Sequence, residues 1–315
     1  MFSAVDVAGH PRDMGLAQGR ALAYSVREAA VHRGLATKRR RWPSLAPFTS
    51  GPVRSAGVAR ETIRHYTHLA ERMDGVARGA GVPVDTILVL HARTACLGDD
   101  AIETQPAVSI SAIGLHDSPG VTLARSLPSG LFGDGGIVVR RSSPAVGFES
   151  VEVAQPWLAS SLAGVNGAGL AACMVPLPAT SGPVVAGPSP LLLVQECLQR
   201  FESVETALDW ATSRPAWGFG TLLVADADGA RAAVHFEGAK RRHERADEAP
   251  LAAGRPERIA DALRGAAGSE RLLDEKALCP PDEAAAGAWV RLIPTRRSLE
   301  LRRPGAPREE LLVEV

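Results

Sequence analysis

The spacing of hydrophobic positions changes from helical to alternating about one third of the way along the chain. Residues 14–36 are rich in Ala, Leu, Arg and Glu, which favour a helix. A second helix is predicted over residues 59–79, with a stop in the sequence GAGVP at 79–83, and a third over residues 84–97. Residues 42–57, rich in Pro, Ser and Gly, read as a loop. The first hundred residues are therefore predicted to be helical.

From about residue 106 onwards the pattern is typical of strands. Residues 108–113 alternate between polar and apolar, and a turn at 117–120 leads into an apolar run, which predicts a hairpin. A second hairpin is predicted from Thr221–Ala225 to Arg231–Glu237 through the turn Asp226–Gly229. Further strands are predicted at Gly136–Arg140, Phe148–Val153, Trp157–Ala163, Gly169–Val175, Ala288–Ile293, Ser298–Leu301 and Glu310–Val315.

One helix, predicted at Pro190–Ser213, interrupts the strands, and residues 241–285 are predicted to be mixed helix and loop. Antiparallel strands with helices at the start and in the middle of the chain indicate an α+β layered fold. No repeat and no long linker divides the sequence. We therefore predict a single domain over 1–315, mainly helical over 1–105 and built of sheets with covering helices over 106–315.

Composition and charge narrow the classes of partner. The 315 residues are 45% hydrophobic but only 4% aromatic, so the core must consist of Ala, Val and Leu. Lys and Arg number 35, as do Asp and Glu, so no overall field attracts nucleic acid or an anionic membrane. The basic run Lys38–Arg41 is interpreted as a solvated helix end. With no apolar run of ~18 residues and no secretory signal, we expect a cytoplasmic protein without a membrane segment.

Metal-binding patterns are weak in this sequence. The four cysteines are far apart and form no CxxC pair, which argues against a zinc cluster. Cys173 and Cys197 lie in apolar runs and are predicted to be core residues. His235 and Glu237 share one strand face, which suggests a metal or acid/base pair, but a third ligand is missing. We predict no metal and no cofactor.

Several segments, in a consistent order along nearly the whole chain, carry a family resemblance. Gly9–Gly15 with Gln18-Gly19 resembles the family's N-terminal glycine-rich segment, and Glu71–Gly81 resembles the helix before its active strand. Leu90–Arg93 resembles its "NAR" segment, Ala163–Leu170 its "GxNxxGL" hairpin, and Leu301–Pro304 its C-terminal arginine-proline turn. The family is that of the acyl-coenzyme A:6-aminopenicillanic acid (isopenicillin N) acyltransferase-like proteins.

The resemblance implies the N-terminal-nucleophile (Ntn) hydrolase architecture, an αββα sandwich of two antiparallel sheets covered by helices. Enzymes of this type cut their own backbone before a Cys, Ser or Thr. The freed α-amino group, with an ordinary pKa of ≈ 7.7–8.0, then acts as the general base. Such chemistry needs no histidine partner, so the lack of a Ser-His-Asp pattern does not exclude it.

The family's nucleophilic cysteine is missing from this sequence. The family usually has Gly-Cys-Thr where this chain has Ala107-Val108-Ser109. In one register the nucleophile is replaced by Val108, and in the other Ser109 takes its place. Val108 would then precede the cleaved bond, and a β-branched residue tolerates a distorted peptide poorly. Ser109 and, less favoured, Ser111 are the candidate catalytic residues.

Other family positions have changed as well. The family's Asn-x-Asp turn corresponds to Arg125-Ser126-Leu127-Pro128, and its oxyanion-hole asparagine falls near residues 252–256, where no Asn occurs. Arg303 is retained and is able to clamp a carboxylate. The candidate substrate-binding residues are Arg303, Arg125, Ser126 and Arg93.

Two functional readings stay open. In the first, the protein is an amide-bond hydrolase or acyltransferase that works through Ser109 or through rearranged groups on a small amide, peptide or acyl substrate. In the second, it keeps the fold and binds a ligand or partner without catalysis, since fold does not guarantee function. Loss of three site positions together favours a divergent, non-self-cleaving protein. A small acyl or amide ligand is the expected partner, and a homo-oligomer stays open.

Overall fold

The computed structural model describes residues 3–35, 60–95, 112–117, 120–128, 136–177, 187–246, 251–253, 286–302 and 311–315. Its helices are α1 Pro11–Ala21, α2 Ala23–His32, α3 Thr67–Ala80, α4 Val84–Ala95, α5 Leu192–Arg200 and α6 Val204–Ser213. Its strands are β1 Ser3–Gly9, β2 Ala112–Asp117, β3 Gly120–Pro128, β4 Val138–Pro144, β5 Ser150–Ala154, β6 Ala163–Asn166, β7 Ala171–Pro176, β8 Gly218–Ala225, β9 Arg231–Gly238, β10 Lys240–Arg245, β11 Leu251–Ala253, β12 Ala286–Ile293, β13 Ser298–Arg302 and β14 Leu311–Glu314.

The strands form two sheets. The eight-stranded sheet has the order β1-β4-β5-β6-β7-β8-β9-β10, and the six-stranded sheet has the order β11-β2-β3-β12-β13-β14. Both predicted hairpins are present as the pairs β2–β3 and β8–β9. Neighbours are antiparallel except β1 and β4, which run parallel. This one parallel pair corrects the prediction of two purely antiparallel sheets.

The sheets stack face to face, with β3 packed on β7 and β8 and β12 packed on β6. Helices α1, α5 and α6 contact strands of the eight-stranded sheet from its other side. On the outer face of the six-stranded sheet Thr122, Ser126 and Trp289 are buried, so that face is covered too. The prediction of an α+β fold of the αββα sandwich type is confirmed.

A buried polar network ties the helices to the eight-stranded sheet. Arg140 on β4 donates hydrogen bonds to Glu152 on β5, to Gln18 on α1 and to Gln195 on α5. The same guanidinium donates to the carbonyls of Leu158 and Ser160. The network therefore fixes two strands, two helices and a loop relative to one another.

Helices α1 and α3 cross at very close range because glycines line both sides of the crossing. A Cβ atom on Gly15 would lie 2.0 Å from the carbonyl oxygen of Arg72. A Cβ atom on Gly75 would lie 2.2 Å from the carbonyl oxygen of Arg12. Only glycine fits where backbones approach this closely. The glycine-rich segments 9–19 and 71–81 are thus two halves of one contact.

The strand predicted at Trp157–Ala163 is wrong over most of its length, because only Ala163 belongs to a strand, β6. The segment is buried, and its carbonyl groups at Leu158 and Ser160 accept side-chain hydrogen bonds, whereas Leu162 bonds the backbone of neighbouring strands. Gln18 donates to the carbonyls of Pro156 and Leu158, and Arg140 donates to that of Ser160. Apolar character in this segment therefore reflects burial in a loop.

Other element boundaries differ from the predictions. The helix predicted at 14–36 is divided at Leu22, and the one predicted at 190–213 is divided between Arg200 and Val204. The second break has a physical cause, since Asn166 donates to the carbonyls of Leu198 and Phe201 at the end of α5. Asp226 accepts from the backbone N–H of Val204 at the start of α6.

Three of the described strands occur where none was predicted, β1, β10 and the short β11, which pairs with β2. Strand β1 contradicts the expectation of an entirely helical first hundred residues, and it pairs with β4 more than a hundred residues away. Strand β10 contradicts the expectation of helix and loop after residue 241, and it forms an edge of the eight-stranded sheet. Its sequence KRRHER fits an edge strand, where charged side chains discourage pairing with other chains.

His91 lies on α4 with its imidazole buried. Burial alone lowers the pKa of His91 from 6.5 to about 4. Neither ring nitrogen has a hydrogen-bond partner within the part of the chain that the structure describes. The folded protein therefore holds this histidine neutral.

The helix crossing yields a stability prediction. We expect Gly75→Ala to destabilise the fold by about 3 kcal/mol or more, because the new methyl group forces two backbones apart. The measurement is urea unfolding followed by circular dichroism. Arg20→Ala, at an exposed position of α1, is the control and should change the free energy of unfolding by less than ~0.5 kcal/mol. Equal effects of the two substitutions would contradict the close crossing.

The buried histidine yields a pH prediction. Folding depresses the pKa of His91 to about 4, so the unfolded chain binds the proton more readily and stability falls as the pH drops from 6.5 towards 4. The full penalty, about 3 kcal/mol, applies below the folded pKa. We expect His91→Met to flatten the dependence of unfolding free energy on pH in that window, with the two curves parallel above pH 7. An unchanged slope in the variant would show that other groups cause the acid sensitivity.

Candidate functional site

Arg125 occupies the space between the two sheets. It lies on β3, paired with Ala112 of β2 and Val290 of β12. Its side chain reaches across to the other sheet, where it donates a hydrogen bond to the carbonyl oxygen of Leu162. The residue is 1% exposed, which makes it a cation at the centre of the sandwich.

Within the described parts of the chain, no negatively charged group balances Arg125. Burial lowers the pKa of Arg125 to about 10, so the group is still charged at neutral pH. The nearby thiol of Cys173 is neutral there, because burial raises its pKa to about 11. Within the described parts of the chain no carboxylate pairs with Arg125 and no acceptor faces its Nε. A buried cation in this state has capacity for an anionic partner.

Ser126, the neighbour of Arg125, does not share this space. Side chains alternate along a strand, so Ser126 points to the outer face of the six-stranded sheet, where it pairs with Trp289. Ser126 is buried on that face. The structure therefore does not bring these two predicted substrate-binding residues together.

The side chains of the remaining predicted site residues are not among those that the structure describes. Arg93 belongs to α4, but its side chain is outside the described residues. Ser109, Ser111 and Arg303 also lie outside the described residues. Ser111 directly precedes Ala112, the strand partner of Arg125. The predicted nucleophile segment is thus continuous in sequence with the strand beside the buried cation.

A second polar group on the eight-stranded sheet was missed in part by the sequence analysis. His235 does pair with another polar residue, but Glu237 is exposed and is not that partner. Instead, His235 Nδ1 lies 3.0 Å from Thr221 Oγ1 and His235 Nε2 lies 3.0 Å from Glu244 Oε1. Glu244 was not predicted because it lies on β10, whose charged sequence shows no hydrophobic alternation and was not recognised as a strand.

Two sequence expectations bear on the chemistry of the site. Cys173 and Cys197 are buried free thiols, as predicted for core residues. No group of three or more His, Cys, Asp or Glu side chains able to hold a metal ion occurs among the described residues. Likewise, none of the described helices combines the length and hydrophobicity that a membrane crossing requires.

Comparison with known proteins gives similarity at the level of structure. No family model matches the sequence, and no curated protein matches it. The chain is similar to a penicillin V acylase from Agrobacterium tumefaciens, with 16% identity and a TM-score of 0.42 over 65% of this chain and 86% of that chain. It is similar to the N-acylethanolamine-hydrolyzing acid amidase ortholog of Caenorhabditis elegans, with 10% identity and a TM-score of 0.46 over 59% of this chain and 93% of that chain. It is also similar to a mutant of conjugated bile acid hydrolase from Clostridium perfringens, with 8% identity and a TM-score of 0.41 over 65% of this chain and 92% of that chain.

Proposed function

We propose that the protein binds a small acyl, amide or peptide ligand between its two sheets and that Arg125 holds an anionic group of this ligand. The observation that carries the proposal is the buried guanidinium of Arg125 without a carboxylate partner among the described residues. Leaving a buried charge unpaired is costly, and a ligand carboxylate would remove that cost. Arginine also binds carboxylates through two parallel hydrogen bonds, which fixes the orientation of the ligand.

The proposed reaction class is that of an amide-bond hydrolase or acyltransferase that has the Ntn-hydrolase fold but does not cut itself. The resemblance of five sequence segments and the αββα architecture support the class. The sequence Ala107-Val108-Ser109, without Cys and with Val108 at the bond to be cut, supports the absence of self-cleavage.

A non-catalytic ligand-binding protein of the same fold is the second candidate. It is favoured by the simultaneous change of the family's cysteine, aspartate and asparagine positions. Both candidates place the ligand at Arg125, so they differ in turnover and not in binding.

The first experiment asks whether the chain processes itself. We expect intact mass measurement after long incubation to return a single chain from Met1 to Val315, because Val108 resists the distorted peptide that an acyl shift requires. Two fragments separated before Ser109 would contradict this expectation. In that case Ser109→Ala should restore the intact chain and Ser111→Ala should not.

The second experiment tests Arg125 with a pair of probes that differ only in charge. N-Hexanoylglycine carries a carboxylate, and N-hexanoylglycinamide is its neutral counterpart. We expect the acid to raise the thermal unfolding midpoint more than the amide, and Arg125→Met to weaken binding of the acid about 10- to 100-fold, because a charge-assisted hydrogen bond is lost.

Arg72→Met is the matched control, since Arg72 is an equally buried arginine that contacts Ser142 of β4 on the helix-covered side of the sheet. It should leave the affinity for N-hexanoylglycine unchanged even if it lowers stability. Equal stabilisation by the acid and the amide would rule out Arg125 as the anion site. So would an Arg125→Met variant that binds N-hexanoylglycine as tightly as the unchanged protein does.

A further inference from the structure

Thr221, His235 and Glu244 lie in a line across three neighbouring strands. Thr221 on β8 and His235 on β9 are directly opposite in the strand register. The two 3.0 Å separations join Thr221 Oγ1 to His235 Nδ1 and His235 Nε2 to Glu244 Oε1. Both are within the reach of about 2.6–3.2 Å that connects a nucleophile with its base and the base with its orienting group.

The carboxylate of Glu244 decides which nitrogen of His235 carries the proton. Only an N–H can donate to a carboxylate, so in the neutral imidazole Nε2 holds the hydrogen and Nδ1 is an acceptor. The hydroxyl of Thr221 therefore donates to His235 Nδ1. This is the arrangement in which a general base takes the proton from an attacking hydroxyl.

Exposure is graded along the line from the inside of the sandwich to its edge. Thr221 is 3% exposed, whereas the side chains of His235 and Glu244 are 13% and 43% exposed. The hydroxyl thus lies in a dry environment, and the carboxylate that orients the imidazole lies at the rim.

The hydroxyl of Thr221 faces the same space as Arg125. Along β8 Thr221 is on the same face as Leu223. Leu223 pairs with Cys173 of β7, whose thiol interacts electrostatically with Arg125. Two residues along a strand span ~7 Å. Thr221 and Arg125 therefore face the same space between the sheets, and β3, which carries Arg125, packs on β8, which carries Thr221.

We propose that Thr221 is the nucleophile of an acyl transfer reaction, with His235 as its general base and Glu244 as the residue that positions His235. Thr221 Oγ1 bonds to the acyl carbon of an ester, thioester or small amide while the hydroxyl proton moves to His235 Nδ1. The bond to the leaving alcohol, thiol or amine breaks with its electron pair, and that group takes the proton from Nδ1. Water then releases the acid by the same path. The proposal rests on the proposed function for the place of the substrate, and it gives that function a nucleophile independent of self-cleavage.

A structural role for the three residues predicts a different result from a chemical one. Cross-strand polar pairs contribute to the stability of a sheet, and their removal changes stability only. Acylation of Thr221 is a covalent event that such a role does not produce.

The test uses p-nitrophenyl acetate, a small neutral ester that does not need Arg125. We expect the full chain to gain one acetyl group, which peptide mapping places on Thr221. Thr221→Val should abolish this product, and Thr221→Ser should retain it. His235→Gln should slow acetylation by ~100-fold or more. Thr122→Val, which alters a buried strand threonine on the outer face of the other sheet, should leave the rate unchanged.

Glu244→Gln should lower the acetylation rate constant without changing the ester concentration that gives half of the maximal rate, because it acts through His235 and not on the ester. The proposal is overturned if the unchanged chain gains no acetyl group at Thr221. It is also overturned if the Thr221→Val or His235→Gln variant is acetylated as fast as the unchanged chain. If acetylation fails while N-hexanoylglycine still binds through Arg125, only the acyl transfer is refuted. If Thr221 is acetylated while that ligand does not bind, the proposed anion site is refuted instead.

Discussion

The pairing of Arg140 with Glu152 is the interaction on which the rest of the sandwich depends. Both side chains are fully buried, so each would be strongly destabilising without the other. Burial acts to raise the pKa of Glu152, but Arg140, Arg72 and the hydrogen bonds from Ser150 and Gln195 hold it below its ordinary value. The partners come from α1, α3, β5, the loop after β5 and α5, so the pair is satisfied only when these helices and strands are in place.

Two buried arginines on either side of the eight-stranded sheet have very different surroundings. Arg140 has two side-chain amides, two loop carbonyls and a carboxylate around it. Arg125 has the carbonyl of Leu162 and no carboxylate in the described part of the chain. The first is a completed structural unit, and the second is a charged site with unused donor capacity. This contrast is the reason for proposing a ligand between the sheets and not beneath the helices.

The inter-sheet space contains polar side chains besides Arg125. Strand β8 brings Thr221 to that space, and β9 and β10 supply a base and a carboxylate from the sheet edge. The acyl transfer we propose would use side chains whose spacing is set by strand register, which is rigid. Such a site needs no cleavage of the backbone to become active.

The sequence by itself determined the elements whose signals are local. Alternation and a short turn identified both hairpins, and the stop at 79–83 matches Gly81, which ends α3 with φ 71°. Tertiary structure alone decided β1, β10 and the irregular segment after Trp157, because a parallel partner, a charged edge and carbonyls that bind distant side chains leave no local pattern. The same holds for the site. Sequence resemblance picked out Arg125. The absence of a carboxylate beside it among the described residues, and the alignment of three side chains across three strands, depend on which groups the folded chain brings together.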